Sequence, residues 1–205
     1  KHINSNTKNL KGIYPCMNYG KKIAKGNHII YLNSGDKFFD KYSLNSLIKK
    51  TKLITQKDNL IFGQANIIAT KRIKWLFPGK NLKSFKKWLV LFEPNHQSML
   101  ISKSLAKKFD FSENHSIISD GYWKRKIINR SKEIIYINKP VINFYLDGVS
   151  SSKPTQKVIS EILSNENISI KRKLIFLIKY ILPENLFFLY YRLQKYKSYI
   201  FDLIL

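Results

Sequence analysis

Acidic residues are scarce in this chain. Its 205 residues include 13 Asp and Glu against 37 Lys and Arg, which gives a net charge of +24. A surplus of this sign favours a polyanionic partner, such as nucleic acid, an anionic membrane surface, nucleotide-sugars or lipid phosphates. Cysteine is nearly absent: Cys16 alone excludes an intramolecular disulfide framework and a zinc cluster with cysteine spacing.

Long apolar runs are also missing. No stretch of about 18 uncharged apolar residues predicts a spanning helix, and we recognise no signal peptide. The default expectation is therefore a cytoplasmic protein. With 44% hydrophobic residues, the chain has enough apolar side chains for a core, which argues against wholesale disorder.

Residues 12–40 hold the most informative pattern. The sequence predicts a helix from Met17 to Lys25, a buried strand from His28 to Leu32, and an acidic turn from Asn33 to Asp36. In open α/β sheets, ligands bind beyond the carboxyl ends of the strands, and Gly35 lets the turn bend closely around one. Asp36 is thus a candidate ligand for a divalent metal on phosphates. An ordinary turn is the alternative.

The string GIYxxMNxGxxxAxGxxIxxLNSGDxF, residues 12–38, resembles the family-two glycosyltransferases of bacterial surface-polysaccharide synthesis, particularly the branch related to colanic acid transferases. The resemblance implies a GT-A fold and transfer of a sugar from a nucleotide donor. It also implies that Asp36 is the metal ligand and that Asn33 makes a weaker donor contact. Most members carry Asp where this chain has Pro15, which has neither a side-chain polar group nor an N–H donor.

This resemblance predicts an α/β fold, a Rossmann-like mixed sheet with flanking helices, over residues 1–152. A basic, amphipathic helical extension follows over residues 153–205. Only eleven residues precede Gly12, where the first strands of a GT-A domain would bind the base. We therefore expect an N-terminally incomplete domain without its base pocket. Residues 133–138 and 141–146 are predicted as two strands, because Lys139-Pro140 interrupts the apolar pattern.

Five more residues become site candidates through the resemblance. It places His96 and Gln97 near the donor diphosphate and the acceptor, although a lone His before a strand is otherwise more often structural. It makes Asp120, at a predicted helix start, the base that deprotonates the acceptor hydroxyl; N-capping is the alternative. Gly148 and Ser150 belong to a FYLxGVSS ending, where a flexible loop closes near the donor phosphates.

The end of the chain alternates basic and apolar residues. In residues 171–205, Pro183 separates two predicted helical halves. Such helices suit either the surface of an anionic leaflet or packing on the α/β core. The first alternative would place the protein peripherally on the inner face of the plasma membrane.

The resulting function hypothesis is an inverting, metal-dependent transfer. A sugar would pass from a nucleotide-sugar, a UDP-sugar, to a hydroxyl of a lipid-linked or growing glycan such as lipopolysaccharide, with Mg or Mn as cofactor. One alternative is a basic nucleic-acid-binding module; against it, the basic residues are spread over the whole chain and no RNP, KH, zinc-finger or helix-turn-helix signature is present. The other is an inactive, truncated transferase, which Pro15 and the short N-terminus favour.

Overall fold

The chain forms a mixed β-sheet with helices on its faces. The computed structural model describes residues 10–80, 82–114, 119–146, 154–164, 168, 170–183 and 186–204. The strands are β1 (His28–Ile29), β2 (Lys37–Phe38), β3 (Asn59–Ile68), β4 (Lys74–Phe77), β5 (Met99–Ser102) and β6 (Glu133–Tyr145). The helices are α1 (Ile13–Ile23), α2 (Ser43–Thr51), α3 (Phe85–Leu91), α4 (Lys103–Ala106), α5 (Ser119–Arg130), α6 (Gln156–Ser164), α7 (Ile170–Ile181) and α8 (Phe187–Ile204).

The sheet is organised around β3. Its strand order is β1-β5-β3-β6-β2, and β4 pairs with the far end of β3. The long β3–β6 pair is parallel, whereas β1–β5, β3–β5, β3–β4 and β2–β6 are antiparallel. Every residue of β3 from 59 to 65 is buried, as expected of a central strand covered on both faces. The predicted α/β fold with a mixed sheet and flanking helices is confirmed.

Both faces of the sheet carry a core, because successive side chains of a strand point to opposite sides. Leu60 and Phe62 pack into an aromatic cluster beneath α1, α3 and α5, which includes Trp88 and Trp123. Ile61 faces the other way, into a smaller aliphatic cluster against α2. The aromatic cluster fixes α1 and α5, and these two helices flank the candidate site described below.

The prediction of two separate strands around Pro140 is wrong. β6 runs without a break through Pro140, which lies opposite Gln64 where the β3–β6 register shifts. Proline cannot donate a ladder hydrogen bond, so a bulge is where a central strand tolerates it. The bulge brings the two strands unusually close: a Cβ added at Gly63 would lie 2.7 Å from Val141 Cγ1.

Helix α1 also begins earlier than predicted, at Ile13 rather than Met17. Gly12 precedes it with φ of 98°, a left-handed conformation that favours glycine. Pro15 therefore lies in the first turn, where a missing N–H breaks no helical hydrogen bond. Lys21, buried on this helix, donates to the backbone oxygen of Phe109 at 2.6 Å.

The described part of the C-terminal extension packs on the α/β domain. Val158, Ile162 and Ile168 form a cluster with Tyr122 of α5, and the Ser198 hydroxyl donates to the Leu76 carbonyl at 3.4 Å. One face of the extension therefore packs on the α/β core, which is the second of the two alternatives that its sequence allows. The other face remains exposed, with apolar residues that include Leu174, Ile178, Ile181, Leu193 and Ile200. The division at residue 152 stays a prediction.

Within the described ranges, no helix combines the length and the apolar character that crossing a membrane requires.

Candidate active site

A tight turn after β1 presents the first two candidate residues. The Asp36 N–H donates to the Asn33 carbonyl at 3.2 Å, which closes the turn. Gly35 has φ of 92°, so a residue without a Cβ is needed there. The predicted acidic turn is confirmed, although β1 itself ends at Ile29 rather than Leu32.

A single 3₁₀ turn, His96–Ser98, contains the next two candidate residues, His96 and Gln97. The Asn95 side chain caps this turn by accepting the Gln97 N–H at 3.2 Å, and its carbonyl accepts the Ser98 N–H at 2.9 Å. The turn leads directly into β5, and its three residues are buried. His96 and Gln97 therefore have well-determined positions rather than the freedom of a surface loop.

Asp36 joins the two turns to the end of β6. Its Oδ2 accepts a hydrogen bond from Gln97 Nε2 at 2.8 Å, and its Oδ1 accepts one from the Tyr145 N–H at 3.3 Å. Gln97 is fully buried. Its other amide atom, Oε1, is buried without a hydrogen-bond partner in the described part of the chain. A buried polar atom without a partner is rare in folded proteins.

A second chain of contacts runs from Asn33 through His96 to Asp120. Asn33 Nδ2 lies 3.3 Å from His96 Nε2, and His96 Nδ1 lies 3.5 Å from Asp120 Oδ2. Because an amide nitrogen can only donate, His96 Nε2 acts as the acceptor in this arrangement. The ring proton is then on Nδ1, directed toward the Asp120 carboxylate.

The surroundings of Asp120 keep it ionised. Burial raises the pKa of Asp120, but the ammonium of Lys124 at 3.7 Å, the His96 ring and the Gly121 N–H outweigh burial and hold it well below its usual range. The side chain remains 29% exposed. An ionised carboxylate can accept a proton at neutral pH, although a low pKa makes it a weak base.

Asp120 does not cap α5. The helix already includes Ser119, and Asp120 lies in its first turn, where a negative charge interacts favourably with the helix dipole. The capping alternative for Asp120 is therefore wrong.

The sequence interpretation missed three contributors. Burial raises the pKa of Tyr14, against the lowering influence of the nearby backbone N–H groups of Asp120 and Ser119. Tyr14 ties α1 to the start of α5, and it belongs to the 12–38 string that was already recognised. Lys124 could have been found from its i+4 spacing to Asp120. The Tyr145 contact uses only the backbone, which leaves no signal in the sequence.

The metal site stays a prediction, and the structure gives only the donor atoms that lie at the turn Asn33–Asp36. The described residues contain no group of three or more His, Cys, Asp or Glu side chains that could enclose a metal ion. The turn Asn33–Asp36 offers one carboxylate, Asp36, and both of its oxygens accept hydrogen bonds. Such a set fits Mg²⁺ or Mn²⁺ only where the phosphates of a ligand supply further oxygens.

The predicted donor-phosphate loop with Gly148 and Ser150 lies outside the described residues.

A groove of about 690 Å³ ends at the turn Asn33–Asp36. It runs between α1 and residues 28–34, and Asn33 and Ser34 form one end of it. Its volume falls in the range of small-molecule sites. The five described candidates, from segments far apart in the chain, thus form one cluster of polar contacts beside a ligand-sized groove. Their individual roles stay predictions.

Solved structures show which fold this is. The chain is similar to S. aureus TarS 1-349, with a TM-score of 0.53 and 14% identity over 84% of this chain and 51% of that one. It is also similar to S. aureus TarS 1-349 in complex with UDP-GlcNAc, with a TM-score of 0.55 and 15% identity over 94% of this chain and 60% of that one. The chain thus spans between half and three-fifths of TarS 1-349. No protein-family model and no curated protein matches it. At this identity the similarity shows a glycosyltransferase fold of the GT-A type, and it shows the fold alone.

Proposed function

We propose that this chain is a glycosyltransferase that moves a sugar from a UDP-sugar to a hydroxyl of a lipid-linked or growing surface polysaccharide. One observation carries the proposal: the candidates from the sequence, Asn33, Asp36, His96, Gln97 and Asp120, lie in one cluster of polar contacts. The fold of TarS, whose structure includes a complex with UDP-GlcNAc, supports the nucleotide-sugar donor class. The resemblance to the colanic acid branch supports a surface glycan as the product.

The donor would bind at the turn Asn33–Asp36. Asp36 would hold a Mg²⁺ or Mn²⁺ ion shared with the donor diphosphate, and such a metal neutralises charge on the departing diphosphate. Gln97 fixes the orientation of the Asp36 carboxylate through the 2.8 Å hydrogen bond. Asn33 would contact the donor beside it, at the end of the groove.

The acceptor would bind on the Asp120 side of the cluster. Asp120 takes the proton from the attacking hydroxyl as that oxygen reaches the anomeric carbon, and attack on the face opposite the leaving diphosphate inverts the anomeric configuration. His96 orients the carboxylate. Lys124 suppresses its basicity, so any acceptor that draws Lys124 away raises the pKa of Asp120 toward that of a more effective base.

Isothermal titration of UDP-GlcNAc with and without Mn²⁺ tests the donor site. We expect metal-dependent binding by the unaltered chain and loss of that binding in Asp36→Asn. Asp40→Asn is the matched control, because Asp40 is exposed and its oxygens bond only within its own turn. No binding by the unaltered chain would refute the proposal for this chain and would favour an inactive transferase.

Asp120→Asn separates binding from chemistry. We expect this variant to bind donor as the unaltered chain does and to lose transfer, measured as UDP release in the presence of acceptor. Removing a general base of this kind costs about 10²–10⁴-fold in rate. Undiminished release by the variant would contradict the role proposed for Asp120.

A further inference from the structure

A second cavity lies between the C-terminal extension and the sheet. It has a volume of about 430 Å³, within the range of small-molecule sites. The sheet side is aromatic, with Trp75, Phe77 and Phe144, and Trp88 of α3 adds to it; Tyr190 and Tyr191 of α8 close the opposite side. These walls suit an apolar ligand.

One region of the wall is cationic. Lys179 and Lys197 line the cavity, and none of the described residues that line it is acidic. Lys179 is only 8% exposed, and its Nζ lies 5.6 Å from the centre of the Tyr190 ring. Burial lowers the pKa of Lys179, and an anion bound beside it would favour the charged ammonium. The cavity therefore combines apolar walls with a positively charged region, and it fits a ligand that has an apolar part and a negatively charged group.

The cavity lies on the other side of the end of β6 from the candidate active site. The Tyr145 N–H bonds Asp36, while the residues on either side of it, Phe144 and Leu146, line the cavity. Alternate residues of a strand point to opposite faces, and consecutive Cα atoms are about 3.8 Å apart. A ligand in the cavity is thus separated from the donor turn by the thickness of one strand end.

We infer that this cavity binds the apolar chain of a lipid phosphate, with the phosphate beside Lys179. Identifying that lipid as the carrier of the glycan acceptor rests on the proposed function; the binding itself does not. The amphipathic character of the extension then has a specific explanation, because its inner face encloses one lipid chain against the sheet.

Tryptophan quenching tests the inference on the whole chain. The probe is 10-bromodecyl phosphate, whose bromine quenches an indole in contact with it. Trp75 and Trp88 line the cavity, whereas Trp123 packs elsewhere in the aromatic core. We expect saturable, partial quenching. We also expect about tenfold weaker binding of the neutral 10-bromodecanol, because it lacks the charge-assisted contact.

Two substitutions locate the bound probe. Lys179→Met keeps most of the stem but removes the charge, so it should bring phosphate binding close to that of the alcohol, whereas Lys87→Met, at an exposed position on α3, should change nothing. Ser198→Phe places a ring in the cavity and should abolish quenching by both probes. Circular dichroism and the thermal midpoint of each variant establish that it is folded.

Three results would overturn the inference: equal binding of alcohol and phosphate, quenching that persists in folded Ser198→Phe, or full displacement of the probe by millimolar inorganic phosphate. The donor titration is independent of all three. Saturable quenching without UDP-GlcNAc binding would leave the cavity assignment intact and refute the transferase. Binding of UDP-GlcNAc without saturable quenching would refute the cavity assignment and leave the transferase proposal intact.

Discussion

Gln97→Glu probes the buried contact at the centre of the candidate site. The substitution changes one NH₂ group into an oxygen, so packing is preserved. It places a second carboxyl group at the 2.8 Å position now occupied by an amide donor to Asp36 Oδ2. Two carboxylates at that distance cannot both be ionised, and the site is fully buried, so the folded pair should retain one proton at neutral pH.

The magnitude follows from the unfolded state. An unfolded Glu titrates at about 4.3, and each pH unit is worth about 1.36 kcal/mol. Holding the proton in the folded state to pH 7 therefore costs up to about 3.7 kcal/mol, and at pH 5 only about 1 kcal/mol. The pKa of the carboxyl pair is raised in the folded state, so the folded state binds more protons than the unfolded state. The free energy of unfolding therefore falls as pH rises from about 4.3 toward the folded pKa.

Urea denaturation at pH 5.0 and 7.0 measures this difference. Relative to the unaltered chain, Gln97→Glu should lose about 2.7 kcal/mol more at pH 7 than at pH 5. Gln97→Met removes the donor without adding a charge and should cost about 1.5–3 kcal/mol at both pH values. Gln156→Glu makes the same exchange at an exposed position and should show no such pH dependence. If Gln97→Glu behaves like Gln156→Glu, the amide of Gln97 is not buried against Asp36.

Two further predictions concern packing and charge. Gly63→Ala should lower the free energy of unfolding by about 1–3 kcal/mol through overpacking. Gly20→Ala, with nothing within 4 Å of the added methyl group, should raise the free energy of unfolding by up to about 1 kcal/mol. Urea denaturation that ranks the two variants in the reverse order would contradict the bulge geometry. Lys124→Met should raise the pKa of Asp120, measured by carboxyl ¹³C NMR titration, while the exposed control Lys126→Met should leave it unchanged. A depressed carboxyl pKa stabilises the folded state above about pH 3.9, and that stabilisation is lost progressively as pH falls through the folded pKa, so Lys124→Met should cost less stability at pH 2 than at pH 7. An equal loss at both pH values would show a purely structural effect.

Local chemistry made several elements predictable. The amphipathic spacing of residues 43–50 indicates a helix, as α2 at Ser43–Thr51 is, because such spacing is a property of a short window. The turn at Gly35 and the break between α7 and α8 around Pro183 follow from the backbone preferences of single residues. The candidate residues were also found without coordinates, but through a resemblance rather than through their spacing.

The sequence could not show where distant partners would lie. Pro140 looked like a strand end, and only its pairing with Gln64, across a bulge, shows that β6 continues through it. Lys139-Pro140 would have broken an isolated strand; the central position between β3 and β2 preserves this one.

The same limit applies to the site and to the extension. The sequence by itself determined the site candidates, the basic charge and the amphipathic helices of the C-terminal extension. Only the tertiary structure decided that Asp36 bonds Gln97, 61 residues away, and that His96 lies beside Asp120. It also decided that the extension turns one face toward β4. Amphipathic helices have the same pattern whether a membrane or a core covers them, because hydrophobic burial is non-directional and does not specify the surface that provides it.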